Sequence, residues 1–373
     1  MQVLAFIAGV VLIILVLVDG FESVVLPRRV IRPYRLARLF IRSGWWLWTG
    51  MVRVLPGEKR RENYLSFFGP LSLPLLLGFW AIAFVTGFAL LYWAPGNAIK
   101  TPDGIVSIGT CIYLSGTTFF TLGIGDFVPT SPYAKALVVL ESGMGFAFLA
   151  VAISFLPALG QSISKREVTI LLLDARAGSP PTAAEILRRH AEDPGMEALT
   201  RLLREWELWS AEVLESHLSF PVLVYFRSQH DNQSWLAALT SILDTCAFLI
   251  ANGEEAGVRQ ARMTFAMARH AIVDLAIVLH AAPRETGSDR LPPPDLAFMR
   301  SRLVSGGMVL REDADAARRL NELRRMYEPY VHALAIRLLM SVPPWVPETS
   351  AVDNWQTGAH REEQSPHGDE DHF

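Results

Sequence analysis

The chain has 373 residues, of which 51% are hydrophobic, and its mean hydropathy is positive, a level that soluble globular proteins seldom reach. Its formal net charge of −3 gives no indication of a nucleic-acid partner, and two cysteines are too few for a disulfide framework or a cysteine metal centre. Long uncharged runs fill the first 160 residues, whereas charged residues are dense from Lys165 onward. The sequence therefore predicts a membrane half followed by a soluble half.

The N-terminal 20 residues contain an unbroken apolar run from Val3 to Val18, with Asp19 as the first charge. A cleaved signal peptide is the alternative, but Met1 and Gln2 supply no basic region and no small-residue cleavage site follows the run. We expect a retained transmembrane helix over residues 1–20, although the run is slightly short for a span of about 20 residues.

Residues 21–66 form a basic segment in which only Glu22, Glu58 and Glu62 oppose many cations. Because cytoplasmic loops carry an excess of Arg and Lys, this linker is predicted to be cytoplasmic, with the N-terminus outside. Apolar side chains interleave with the arginines, as in a helix that lies in the headgroup layer; a linker with scattered aromatics is the alternative. The cations are Arg28, Arg29, Arg32, Arg35, Arg38, Arg42, Arg53, Lys59, Arg60 and Arg61, and the interleaved residues are Leu36, Leu39, Phe40, Trp45, Trp46 and Trp48.

Two further spans are predicted over residues 67–94 and 133–160. The first contains no charged residue and ends in Tyr92 and Trp93, aromatic residues of the kind that mark a membrane boundary. The second is followed at once by Lys165 and Arg166, which place its far end in the cytoplasm. Three spans, with the N-terminus outside and the C-terminus inside, agree with all of this charge pattern.

Between these two spans, residues 107–129 contain an apolar stretch that is too short to cross a bilayer. The segment from Ser107 to Phe120 has only 14 residues, so we expect a re-entrant pore helix followed by a loop. Non-helical backbone at membrane depth is tolerated only where protein or a water-filled pathway surrounds it. The sequence therefore predicts a pore in this region.

The loop after this helix has the residues that an ion filter needs. Main-chain carbonyls can replace the water shell of a cation if successive carbonyls face one axis, which requires backbone angles that glycine adopts at little cost. Gly123 and Gly125 meet that requirement, and Thr121 can add a hydroxyl at the inner mouth. Asp126 would lie at the outer mouth, either attracting cations or bracing the loop. The predicted filter is Thr121, Leu122, Gly123, Ile124 and Gly125.

At these residues the chain resembles the potassium channel family, of the bacterial two-span type. The family's signature, two threonines three apart and then Thr-Val-Gly-Tyr-Gly-Asp, is matched by Thr118, Thr121, Gly123, Gly125 and Asp126. The resemblance covers roughly residues 71 to 165. It implies potassium conduction, a homotetramer in which four loops close the filter, and a bacterial inner-membrane location, with Thr118 and Asp126 as filter supports.

Two positions depart from the family pattern. Leu122 stands where valine is usual, and Ile124 stands where tyrosine or phenylalanine is usual. The carbonyl cage does not depend on either side chain, but isoleucine cannot give the hydroxyl with which a tyrosine tethers the filter. We therefore expect potassium selectivity to be preserved but reduced, with apolar packing of Ile124 on Tyr113 or Leu114 offsetting part of the loss.

Three residues of the third span are further candidates. Gly145 lies where the inner helix of this family often has its gating hinge, and Gly143 lies two residues before it; close helix packing is the alternative role for both. Glu141 is an ionisable group inside a span and is predicted to support the filter by a hydrogen bond to the back of the pore helix, near Thr117 or Thr118.

Residues 161–347 are predicted to form a helical cytoplasmic domain, and residues 348–373 a disordered tail. The apolar stretches Trp235–Ala251 and Met263–Ala282 are interpreted as core helices, since Asp244 and Asp274 interrupt them. A polar loop before Trp235 is predicted to cap the next helix through Asp231 or Asn232, with a ligand or proton-sensing role for His230 as the alternative.

The sequence contains no nucleotide-binding glycine turn, Walker loop, zinc pattern or nucleophile elbow, so no enzymatic activity, catalytic residue, cofactor or metal is predicted beyond the permeant potassium ion. The chain is thus predicted to be an all-α membrane protein, a potassium-selective channel whose soluble half receives an unknown cytoplasmic ligand. Its predicted partners are the bilayer, potassium ions and three further copies of the chain. A weakly selective monovalent cation channel and a non-conducting membrane-anchored scaffold or sensor remain the alternatives.

Overall fold

A computed structural model describes residues 2–26, 35–96, 99–100, 106–191, 196–228, 233–253, 255–285, 288–311 and 315–347. The chain divides into two compact units, Met1–Gln161 and Ser162–Phe373. Arg28, Arg29, Arg32, Asp231, Asn232, His230 and the predicted tail over residues 348–373 lie outside the described residues.

The first unit contains five helices and one small sheet among the described residues. The helices are α1 (Gln2–Gly20), which continues as a π-helical turn (Phe21–Val25), α2 (Leu36–Arg53), α3 (Glu58–Trp93), α4 (Ile108–Phe119) and α5 (Pro132–Ala177). Strands β1 (Ile99–Lys100) and β2 (Val128–Pro129) pair antiparallel, with Ile99 opposite Pro129 and Lys100 opposite Val128. The pairing ties the chain after α3 to the chain before α5, on either side of α4 and its loop.

Helix α1 packs along α3 through small residues. A Cβ atom at Gly9 would lie 2.7 Å from the carbonyl oxygen of Gly87, and a Cβ atom at Gly87 would lie 2.7 Å from the side chain of Ile13. Helices in lipid gain little from burying apolar side chains against one another, so close backbone approach at small residues supplies the contact.

The end of α1 is fixed by a buried carboxylate. Asp19 is 4% exposed, and its Oδ2 accepts hydrogen bonds from the backbone N–H of Ala37 and from the indole Nε1–H of Trp80, each at 2.9 Å. Ala37 is the second residue of α2, where a backbone N–H has no partner within the helix. One side chain therefore joins α1, the start of α2 and the middle of α3.

Four helices in the described part of the chain have the length and apolar composition of a membrane span: α1, α3, α5 and α8 (Trp235–Asn252). The fourth is 94% buried inside its own unit, as expected for the core helix that the sequence predicts there. Helices α3 and α5 are longer than the predicted spans. Helix α3 begins at Glu58 rather than at residue 67, and α5 continues past residue 160 to Ala177.

The extension of α5 has a simple cause in the sequence. No glycine or proline occurs between Gly160 and Gly178, and Gly178 adopts φ of 78°, a conformation that ends a helix. The amide of Gly178 still donates to the carbonyl of Asp174 at 3.0 Å. The boundary between the two units therefore falls inside one helix, after Gln161.

The second unit is a bundle around α8. Its other helices are α6 (Ala183–His190), α7 (Glu197–Ser219), a 3₁₀ turn (Pro221–Tyr225), α9 (Glu255–Val278), α10 (Pro293–Ser305), α11 (Ala316–Arg325) and α12 (Glu328–Leu338). Every residue of α8 except Ile250 is buried. Helix α8 is capped by Ser234, whose Oγ accepts from the N–H of Ala237 at 3.0 Å, whereas the predicted caps Asp231 and Asn232 lie outside the described residues. A serine directly before the first helical residue can accept a hydrogen bond from a free backbone N–H in the first turn, as an N-cap requires.

Asp244 lies in the middle of α8 and has charged and polar partners in this core. Its Oδ2 accepts a hydrogen bond from Nη2 of Arg290 at 2.7 Å, and its Oδ1 accepts one from the hydroxyl of Tyr327. Arg290 also donates to Glu328 at 3.1 Å and to the carbonyl of Pro343 at 2.7 Å. Because a lone buried charge is very costly, this network explains how an acidic residue is accommodated in an otherwise apolar helix.

The first turns of the second unit are anchored through Arg166 of α5, which is 3% exposed. Its guanidinium donates to the carbonyls of Leu223 at 3.0 Å and Phe226 at 2.8 Å, and lies 3.2 Å from Nε2 of His217. Burial, reinforced by the Arg166 charge, lowers the pKa of His217 to about 3. The ring therefore stays neutral and can accept from Arg166 while its Nδ1 faces the carbonyl of Val213 at 2.8 Å.

Candidate ion-conduction site

The site is built on the short helix α4 and the loop that follows it. Ser107 caps α4, since its Oγ accepts from the N–H of Thr110 at 3.1 Å, and the helix ends at Phe119. Thr117 and Thr118 are buried in its last turn. Residues 120–127 contain no helix or strand, so the predicted filter residues follow a helix C-terminus as non-regular backbone.

The backbone of the loop alternates between two conformations. Thr121, Gly123 and Gly125 have φ of 58°, 57° and 83°, which is the left-handed region. Alternation of this kind turns successive carbonyl groups toward one side of the chain, because each left-handed residue reverses the direction that its neighbour would give. Glycine adopts the conformation at little cost, whereas Thr121 is strained by roughly 1–2 kcal/mol. Strain held at one residue of a loop is a feature of functional sites.

Hydrogen bonds of the loop use its amides and leave its carbonyls free. The N–H of Leu122 donates to the carbonyl of Thr117 at 2.8 Å, and the N–H of Thr121 donates to that of Thr118 at 3.0 Å. Within the described residues, no hydrogen bond reaches the carbonyl oxygens of residues 121–125. The end of α4 thus holds the loop by its donors, and a row of acceptors remains for a ligand.

Asp126 is engaged with the loop and with α4. Its Oδ1 accepts from the N–H of Phe127 at 3.0 Å, and its side chain is a hydrogen-bond partner of the Tyr113 side chain. The ring of Tyr113 also meets Phe127 edge-on, with centroids 5.6 Å apart. These contacts correspond to the bracing role that the sequence offered for Asp126, because they hold the outer end of the loop against α4. Tyr113 packs on Phe127, whereas Ile124 is 60% exposed in the single chain, in contrast to the expected packing of Ile124 on α4.

Glu141 of α5 joins three helices behind the loop. It is fully buried, and its carboxylate accepts from the hydroxyl of Tyr92 on α3 at 2.8 Å and from the hydroxyl of Ser115 on α4. Ser115 also lies 2.9 Å from the carbonyl of Val85. The contact with α4 therefore lies two to three residues before the expected one near Thr117 or Thr118, because Ser115 is on the face of α4 that contacts α3 and α5. The Thr117 hydroxyl donates instead to Leu114 of its own helix at 2.9 Å.

Gly145 and Gly143 differ sharply in their surroundings. A Cβ atom at Gly145 would lie 1.9 Å from the carbonyl oxygen of Phe119, the last residue of α4, whereas a Cβ atom at Gly143 would meet nothing within 4 Å. Phe119 is held from two further sides by Phe84 and Phe148, with ring centroids 5.7 Å and 5.5 Å away. The geometry at Gly145 is that of close packing, one of the two roles that the sequence allowed.

Sequence reasoning missed Ser115 and the partnership of Tyr92 and Tyr113 with acidic side chains. Tyr92 was interpretable as an interfacial aromatic residue, and a lone serine in an apolar segment gives no signal. The buried acid Glu141 was the signal that could have found them, because it required hydroxyl or amide donors within reach. No group of three or more metal-ligating side chains occurs in the described residues.

Comparisons with known proteins agree with this site. A family model described as "Ion channel" matches residues 75–160, which span the second half of α3, all of α4 with its loop, and α5 as far as Gly160. The chain is also 25% identical over 258 residues to the "Uncharacterized membrane protein YdjJ" of Bacillus subtilis (strain 168), a match that covers 68% of this chain and 73% of that protein. No solved structure matches the chain. The resemblance of the pore module to potassium channels is confirmed over residues 75–160.

Proposed function

We propose that four copies of this ion-channel module assemble into a potassium-selective pore in a bacterial inner membrane. The observation that carries the proposal is the alternation of left-handed residues at Thr121, Gly123 and Gly125, with unpaired carbonyls from residue 121 to residue 125. Carbonyl dipoles in stacked rings can replace the hydration shell of a potassium ion. One chain contributes one row of such oxygens, so several chains are needed to surround an ion.

The contacts around the loop support its role as a filter. Donors at the end of α4 hold the amide side of the loop, the Tyr113–Asp126 contact holds its outer end, and Glu141 fixes α4 against α3 and α5. A filter discriminates between ions of equal charge only while its oxygens are held at set positions. The supports therefore bear on selectivity as well as on conduction.

A weakly selective monovalent cation channel is the second candidate, and a specific observation favours it. Leu122 and Ile124 are 64% and 60% exposed in the single chain, and neither side chain can donate a hydrogen bond to its surround. A looser loop would still pass cations while discriminating less between potassium and sodium.

Ion flux through the purified chain in liposomes tests the proposal. We expect potassium to pass, sodium to pass less well in bi-ionic reversal-potential measurements, and Gly123→Ala to abolish both, since its φ of 57° disfavours a side chain. Gly78→Ala is the matched control, because a Cβ atom there meets nothing within 4 Å. Equal permeability for the two ions would select the second candidate, and absence of flux would favour a non-conducting scaffold.

The same proposal includes an orientation of the chain in the membrane and a regulatory role for the second unit. The N-terminus lies outside and the second unit in the cytoplasm, in accord with the arginine excess between α1 and α3. The second unit follows α5 without a break in the helix, so a ligand that changes its packing has a direct mechanical route to the pore-lining segment.

A further inference from the structure

Helix α5 keeps an exposed apolar stripe after it enters the second unit. Val168, Leu171 and Leu172 are 53%, 48% and 59% exposed, and Ser164 and Ala175 are exposed on the same side. We call these five residues the α5 stripe. The spacing of Ser164, Val168, Leu171 and Ala175 alternates between four and three residues, the repeat with which one helix meets another in a coiled coil.

The opposite side of the same segment already has its partners. Arg166, Ile170, Leu173, Asp174 and Ala177 are buried in the second unit. At 100° per residue these positions centre on the side of the helix that faces away from the α5 stripe. The flank between the two sides is also occupied, since Lys165 pairs with Glu212 at 2.6 Å and Arg176 with Glu205 at 3.3 Å. The buried side and one flank of this segment therefore have partners in the chain's own bundle, whereas the stripe is exposed.

We propose that the α5 stripe packs against the α5 stripe of other copies of this chain, forming a parallel helical stem on the cytoplasmic side of the pore. The stripe carries no charge, so copies placed side by side bring no like charges together. Earlier in the same helix, Phe146, Leu149, Ile153 and Leu156 are also exposed at spacings of three and four residues, and Ser164 lies eight positions after Leu156. This inference rests on the proposed function in one respect, which is the assembly of several copies of the chain.

Covalent continuity makes this partner the favoured one. Val168 is seven residues from the last residue of the membrane unit, in one uninterrupted helix. Once pores assemble, the stripes of neighbouring copies are held at an effective concentration of order millimolar, and even weak apolar packing becomes extensive.

Disulfide cross-linking of the full-length chain in liposomes tests the stem. Both native cysteines, Cys111 and Cys246, are buried, so a single introduced cysteine is the accessible thiol. Ala175→Cys and Val168→Cys are compared with Arg176→Cys, which is one position further along α5, exposed and off the stripe. Copper–phenanthroline is the oxidant, and the products are counted on denaturing gels at two protein-to-lipid ratios.

We expect the two stripe variants to form linked chains at least about five-fold faster than Arg176→Cys, at a rate that does not fall on dilution in lipid, as for groups within one assembly. Equal rates for all three variants, or no cross-linking at the stripe, would overturn the stem, and would leave lipid or another protein as the occupant. Potassium flux is measured in the same vesicles. Flux without stripe cross-linking refutes the stem alone, whereas cross-linking without flux supports the stem and refutes the channel.

Discussion

Replacing Gly145 by alanine distinguishes a packing role from a hinge role for the inner helix. In the structure, the added Cβ atom would lie 1.9 Å from the carbonyl oxygen and 2.8 Å from the carbonyl carbon of Phe119. One backbone would have to move by about 1.5 Å to restore ordinary van der Waals contact. Both contacts are with main-chain atoms, so no side-chain rotation can relieve the clash.

The size of the effect follows from where Phe119 lies. Overpacking a well-packed interior costs roughly 1–3 kcal/mol, and here it recurs in every subunit of the proposed pore. Phe119 is two residues before Thr121, and its ring is confined by Phe84 and Phe148. The strain is therefore expected to reach the proposed filter by displacing the end of α4.

Two measurements on Gly145→Ala, with Gly143→Ala as the matched variant on the same helix, decide the matter. We expect Gly145→Ala to lower the temperature at which the purified assembly dissociates on gel filtration and to reduce the potassium-to-sodium permeability ratio. Gly143→Ala should leave the dissociation temperature unchanged, because its added atom meets open space. A Gly145→Ala protein with parental stability and selectivity, altered only in opening, would refute the packing argument and restore the hinge.

Four further outcomes are expected. Glu141→Ala should lower the dissociation temperature more than Glu141→Gln, because leaving the hydroxyls of Tyr92 and Ser115 buried without an acceptor costs about 1–3 kcal/mol; equal losses would argue against the hydrogen bonds. Ile124→Tyr should raise the potassium-to-sodium ratio measured from bi-ionic reversal potentials, since a hydroxyl tether contributes about 0.5–1.5 kcal/mol, and an unchanged ratio would show that the tether is dispensable. Single cysteines at Lys100 and Glu205, both exposed, should react with impermeant maleimide from opposite sides of the membrane; labelling from one side would contradict the topology. Hydrogen bonds from Arg188 and Arg189 lower the pKa of Glu185 to about 2 from 4.5, so the stability that they contribute is complete above pH 4.5 and is lost as the pH falls toward 2. The difference in thermal stability between the parent protein and Glu185→Gln, about 1 kcal/mol at pH 7, should therefore shrink between pH 4.5 and pH 2. A difference that does not change with pH would refute the assignment.

The sequence predicted those features that depend on the chain's own periodicity and hydropathy. Apolar run lengths located α1, α3 and α5, and the glycine spacing located the loop conformation at Gly123 and Gly125. The membrane orientation could be predicted from the basic residues at the span ends for a similar reason, because each basic residue contacts the membrane surface independently of the rest of the fold.

Features that depend on two distant residues escaped sequence reasoning. The sequence predicted that Glu141 would bond to α4 near Thr117 or Thr118, but not that its partner there would be Ser115, 26 positions before it. The full length of α5 was also not predicted, because hydropathy indicates the span over residues 133–160 but does not show how far the helix continues to Ala177. The left-handed conformation of Thr121 was likewise unexpected, since it reflects the hold of α4 on the loop and not a preference of threonine.

The junction at Asp19 sets an order for the biogenesis of this protein. Trp80, which donates to its carboxylate, is synthesised 61 residues after it, and Ala37 is synthesised 18 residues after it. A newly made N-terminal helix therefore leaves the ribosome with an acidic group near its C-terminal end and no permanent donor for it, a costly state inside lipid. We therefore expect α1 to become stably inserted in the bilayer only after the helix that carries Trp80 has been synthesised, so that the two helices insert as a pair.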